Sequence, residues 1–206
     1  MYRSPYANNI HNMSNSEVVS LAKNRFTDDE TQLAIAKHWY KLGRQYLAAN
    51  PEITQEAAKV LWDQRGYVLK TKLMASGTYE ASPEEQRYTY HKYFKGKPNR
   101  RYRLFQAFLG AYSYWLSGGK NNTPSELIQE IYDDFESSFD SETHSVYDLR
   151  RFISHENCPL GVALKIGTMK TPEINAQWYS AQYEKLRNEA MLKVAEITKR
   201  ENSISR

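Results

Sequence analysis

A chain of 206 residues with a single cysteine, Cys158, can hold one domain or a compact body with an extension, but no disulfide framework and no cysteine-based zinc site. An apolar fraction of 40% with 16 Tyr and 4 Trp allows a core, and a mean hydropathy of −0.76 implies that polar side chains cover much of it. The net charge of +4 is compatible with nucleic acid but too small to argue for it. No apolar run nears the roughly 18 residues of a membrane span. The first residues also lack the apolar stretch of a secretion signal, so a soluble, cytoplasmic protein is expected.

In chain order, residues 1–13 are expected to be a flexible N-terminus, followed by a helical body over 14–170. Helix-start chemistry recurs along that body. Ser14-Asn-Ser-Glu17, Thr27-Asp-Asp-Glu30, Ser82-Pro-Glu-Glu85 and Thr123-Pro-Ser-Glu126 all fit the capping box. There a Ser or Thr oxygen accepts from the backbone N–H three residues on, and the Glu reaches back to the cap N–H. Thr54-Gln-Glu and Thr171-Pro-Glu are weaker starts with acid in the first turn, where the helix dipole favours it. Pro83, Pro124 and Pro172 follow their caps at the position where a missing N–H costs nothing. Alternating runs closed by Asn-Gly or Asp-Gly are absent, so the expected class is all-α.

An internal offset of 27 residues places Thr27 on Thr54, Leu33 on Val60, Tyr40 on Tyr67, Leu42 on Leu69, Ala48 on Ala75 and Asn50 on Gly77. Each copy reads as a helix, a short break and a second helix closed by Asn or Gly, where a left-handed cap residue is expected. A looser copy, Leu149-Arg-Arg-Phe-Ile-Ser-His-Glu-Asn157-Cys-Pro159, parallels Leu42-Gly-Arg-Gln-Tyr-Leu-Ala-Ala-Asn50-Pro51. On these residues the chain resembles the short helical-hairpin repeats of the variant leucine-rich and HEAT-like kind, across 15–77 and 140–170. The resemblance implies an irregular, solenoid-like stack of helix pairs and a binding role, and it brings no catalytic residues. One helix pair cannot bury its apolar face alone, which is why such units stack.

Between those copies lies the stretch YTYHKYFKGKPNRRYRLF. Arg87, Lys92, Lys95, Lys97, Arg100, Arg101 and Arg103 carry no acid among them, and Tyr88, Tyr90, Tyr93 and Tyr102 are interleaved. Tyr88–Phe94 is expected to end a helix begun at Ser82, with Tyr90, Tyr93 and Phe94 turned inward. Gly96 and Pro98 would break that helix and leave the cations standing free on a loop, before a new apolar helix from Arg103 through Phe105, Phe108, Tyr112 and Trp115.

Catalytic templates fail. Nucleotide-binding glycine motifs and the esterase elbow are missing, and Ser117-Gly118-Gly119-Lys120 reads as a linker. His155-Glu156-Asn157-Cys158 lacks the second His of a zincin and the distant Cys pair of a deaminase, which leaves it the role of a turn before Pro159. Glu126, Glu130, Asp133, Asp134, Glu136, Asp140 and Glu142 form an acidic block whose first four members share a helix face. Leu127, Ile128 and Ile131 supply that helix with an apolar face to bury, so the acids are read as solvated or paired with the basic block.

From Thr171 to Arg200 there is no Gly and no internal Pro after the first turn. Ile174, Trp178, Ala181, Leu186, Ala190, Val194 and Ile197 recur at helical spacing. One helix of about 40 Å is expected at 1.5 Å per residue, either packed on the body or pairing with a second copy, with a flexible tail over 201–206.

The functional expectation is a non-enzymatic α-helical adaptor that binds another protein, with no cofactor and no metal. In its size, polarity and degenerate repeats it resembles bacteriophage or mobile-element accessory proteins that act on host machinery. The alternative is an RNA- or DNA-binding protein using the basic loop over 95–103 for phosphates and its tyrosines for stacking. A metal-dependent enzyme using the acidic face over 126–136 is the third expectation.

Overall fold

A computed structural model describes residues 4–110, 122–137, 146–170 and 177–204, with no side chains for 177–179. These residues form eleven α-helices and two 3-10 segments, and among them no strand occurs. The Ser14 and Ser82 capping boxes are both closed, and Thr54 accepts from the Ala57 N–H as a simple cap. Thr27 is a correction. The cap of the helix that follows is Asp28, which accepts from the Thr31 N–H, while the Thr27 hydroxyl turns back to donate to the Leu21 carbonyl. A carboxylate is as good a cap as a hydroxyl, and here the hydroxyl is used to close the preceding turn. The start expected at Thr171 lies outside the described residues.

The chain divides into two compact units, the first comprising 1–94 and 100–121, the second 95–99 and 122–206. In the first unit α1 (Asn15–Lys23), α2 (Asp29–Lys37), α3 (Lys41–Leu47), α4 (Gln55–Trp62), α5 (Val68–Ser76), α6 (Pro83–Tyr93) and α7 (Arg101–Phe108) follow one another. The most extensive helix packing skips one element, with α1 on α3, α2 on α4 and α5 on α7, while α2 also touches α3, α4 touches α5, and α3 touches α5. The buried side chains are those at helical spacing, among them Val18, Ile35, Leu47, Leu61, Leu73, Tyr90, Phe94, Phe105 and Phe108.

Side chains close helix ends two elements away. Asn50, 3% exposed, donates its amide to the carbonyls of Ala22 and Asn24 at the end of α1, and its Oδ1 accepts from the Glu52 N–H. Gln64 donates to the Ala36 carbonyl at the end of α2 at 2.8 Å, and Ser76 to the Ala48 carbonyl at the end of α3 at 3.3 Å. These bonds satisfy C-terminal carbonyls that no intrahelical N–H can reach. The bonds from Asn50 to Ala22, Gln64 to Ala36 and Ser76 to Ala48 each span 28 residues. The expectation that Asn50 adopts a left-handed backbone is corrected: among the described residues only glycines have positive φ, and Asn50 acts through its side chain. Gly77 does take the left-handed cap, at φ 67°.

Residues 1–13, expected to be flexible, are tied down from Ser4 onward. Ser4 bonds Asp28, Glu30 and Thr31, and the 3-10 turn Ala7–Asn12 packs on α2 with Ile10 buried.

The second unit holds α8 (Ser125–Ser137), α9 (Val146–Ser154), α10 (Leu160–Thr168) and α11 (Gln177–Ile204). The long helix continues to Ile204 through part of the stretch expected as a tail, and it packs on α9 and α10 through Tyr183, Leu186, Ala190 and Ile197. Of the other apolar positions expected on its face, Ala181 is exposed and Val194 half-buried. Ile174 and the Trp178 side chain lie outside the described residues. Gly167 permits the close approach of α10, since a Cβ there would stand 2.7 Å from the Met191 sulfur. Arg150 donates to Glu189 at 2.7 Å, which ties α9 to α11.

Candidate functional site

The basic stretch does not survive as one surface. Tyr90 and Phe94 are buried as expected, Tyr93 is half-buried, and Gly96 turns the chain at φ 66°. The cations were expected to stand free, and in most cases they do not. Lys95 pairs with Glu130 on α8 at 2.7 Å, and the Gly96 N–H donates to Asp134. Lys92 donates to the Tyr88 hydroxyl and lies over that ring, at 4.8 Å. Arg100 donates to the Tyr93 carbonyl at 2.8 Å. Arg87 is exposed on α6, and Lys97 is exposed within the turn. Arg101 begins α7 and is half-buried.

What joins Arg100 and Arg103 is the ring of Tyr67, which in the sequence stands out only by its 27-residue offset from Tyr40. Both guanidiniums lie over Tyr67, at 4.7 and 5.5 Å from its centroid. Tyr67 in turn meets Phe94 edge-on at 5.5 Å and Tyr93 at 6.1 Å. Stacked cation–aromatic contacts orient a guanidinium and leave its edge N–H groups able to donate elsewhere.

Tyr67 is also the wall of an open cleft of about 500 Å³ in the first unit, between the start of α3 and the turn from α4 to α5. Its polar lining is Lys41, Arg44, Gln45, Gln64 and Arg65, and no carboxylate lines it. Arg44 is held from two sides. It donates to the Gln64 side-chain oxygen at 2.5 Å and to the Trp39 carbonyl at 3.4 Å, and its Nε is buried with no hydrogen-bond partner among the described residues. Gln64 is itself fixed by its bond to Ala36. Gly66, at φ 98°, makes the turn that carries Arg65 to the rim. The nearest carboxylate in sequence, Asp63, pairs with Lys59 at 3.1 Å.

The acidic face is engaged by cations. Glu130 and Asp134 receive Lys95 and the Gly96 amide, and Asp133 and Glu136 receive Lys165 from α10, at 3.4 and 2.7 Å. Asp140 and Glu142 lie outside the described residues, as do Tyr112, Trp115 and the Ser117–Lys120 run. Among the described residues no three His, Cys, Asp or Glu side chains are placed to share a metal ion.

His155 and Cys158 have the turn geometry expected of them. The Asn157 N–H donates to His155 Nδ1, and the Asn157 side chain donates to the Thr123 carbonyl. Burial pushes the Cys158 thiol up to about 11, far from the range of a nucleophile. His38, at the end of α2, makes the same turn bond, accepting at Nδ1 from the Tyr40 N–H. Among the described residues no helix is long and apolar enough to cross a membrane. Comparison of this chain with family models, curated proteins and solved structures finds no match.

Proposed function

We propose that this protein is a non-enzymatic helical scaffold that binds another protein, acting in the cytoplasm. The observation that carries the proposal is the series of bonds that link each helix end to a side chain 28 residues on, in α1, α2 and α3. Supporting it, Gln32 and Gln86 both donate to the carbonyl five residues back, just ahead of a helix cap, and they stand two 27-residue offsets apart. Bonds repeated at one spacing hold helix pairs in fixed register, and such stacks serve as preformed binding surfaces. On that frame, turns carry large apolar side chains outward: Phe26 is 94% exposed, and Trp39 67%. Tryptophan and arginine are both enriched at interface hot spots.

A tagged copy purified from its native host tests this. Protein retained by the wild type should be lost from the Trp39→Ala and Phe26→Ala double variant, whose melting temperature should match the parent. Recovery of the same proteins by both forms, or of none above background, overturns the proposal.

A further inference from the structure

Whatever partner the scaffold holds, the cleft beside Tyr67 has chemistry of its own. We infer that the cleft of Lys41, Arg44 and Arg65 is a binding site for a phosphate group, with Arg100 and Arg103 extending it along the Tyr67 wall. The inference rests on that cleft and not on the protein-binding reading.

Four observations converge. The lining holds three cations and two amides and no carboxylate, so no internal counter-ion competes for an incoming anion. Lys41 and Arg65 make no hydrogen bond or ion pair among the described residues, whereas Lys59, Lys95 and Lys165 all find carboxylates. Arg44 is positioned in advance by Gln64 and Trp39, so its fork loses little freedom when it meets an oxyanion. The volume, about 500 Å³, lies in the range of small-ligand sites and exceeds what a bare ion needs. Guanidinium groups match phosphate geometry with paired N–H donors, and the half-buried Tyr67 gives an attached ring or sugar an apolar face.

A phosphate of this kind can arrive on a free nucleotide or on a nucleic-acid strand, and the two sources differ in what they need from the wall. Three probes separate them: inorganic phosphate, adenosine monophosphate and a fluorescent single-stranded 12-mer, each titrated at about 50 mM and 200 mM salt. Binding is expected for at least one organic probe, weakened tenfold or more by Lys41→Gln with Arg65→Gln. Both residues are exposed, so the double variant should melt with the wild type. A strand should also lose affinity steeply with salt and weaken further in Arg100→Gln with Arg103→Gln, while a free nucleotide should respond to the cleft pair alone. Lys95→Gln, which removes a cation already paired with Glu130, should change neither. Absence of binding by every probe at low salt overturns the inference. So does binding that survives Lys41→Gln with Arg65→Gln, or that falls equally in Lys95→Gln.

Discussion

Asn50 shows how much one side chain can decide. It gives two hydrogen bonds to carbonyls at the end of α1 and takes one from Glu52, with 3% of its surface exposed. Replacement by Ala leaves buried acceptors without donors, and each such loss costs about 1–3 kcal/mol. Asn50→Ala should therefore destabilise by about 3 kcal/mol in urea unfolding, against under 1 kcal/mol for the exposed neighbour Ala49→Ser. A loss below 1 kcal/mol would show that the inter-helix bonds do not hold the register. His38 predicts a pH response. Burial, then the charges of His11 and Arg44, lower its pKa below the ordinary 6.5, and its Nδ1 must stay unprotonated to accept from Tyr40. The unfolded chain then binds the proton more readily, so stability is full above about pH 6.5 and falls as pH drops toward the folded-state pKa. Below that value the loss levels off. His38→Asn, which keeps an acceptor at the same turn, should flatten the stability profile between pH 7.5 and 5. An unchanged slope would assign the acid sensitivity to other groups.

At the scale of elements, capping chemistry locates four helices of the first unit and says little of the others. Helices α1, α2, α4 and α6 begin at Ser14, Asp28, Thr54 and Ser82, whose side chains cap them. Helices α3 and α5 begin after Tyr40 and Tyr67 with no side-chain cap, and only their 27-residue spacing marks them in the sequence. Their N-termini follow short turns whose geometry the preceding helix and its packing impose, so no local signal is required. The long helix presents the reverse case. Its apolar spacing is plain in the sequence, yet the same stripe suits a coiled coil or a packed helix. Leu186 is fully buried within the second unit, where α11 packs on α9 and α10, so Leu186→Ala should cost about 3 kcal/mol through lost contacts and the cavity left behind. A change under 0.5 kcal/mol would mean that α11 stands free of α9 and α10.

For the molecule as a whole, the amino-acid sequence alone determined the helical class, the helix caps at Ser14, Thr54 and Ser82, the inward Tyr90 and Phe94 and the lack of a partner motif for Cys158. Each of these follows from near neighbours in the chain: a hydroxyl three residues from an N–H, an apolar spacing, a thiol without a partner motif. What the sequence suggested about the basic stretch was incomplete for the same reason. Counting cations along the chain cannot reveal that Lys95 meets Glu130, 35 residues away, or that Arg100 and Arg103 converge on Tyr67. Nor can it reveal that Lys41, Arg44 and Arg65, which form no run, line one cleft. Electrostatic pairing depends on separation in space, and helices that pack two elements apart bring together residues that the sequence keeps well apart. Only the tertiary structure decided which cations meet carboxylates, as Lys95 and Lys165 do, and which line the cleft beside Tyr67.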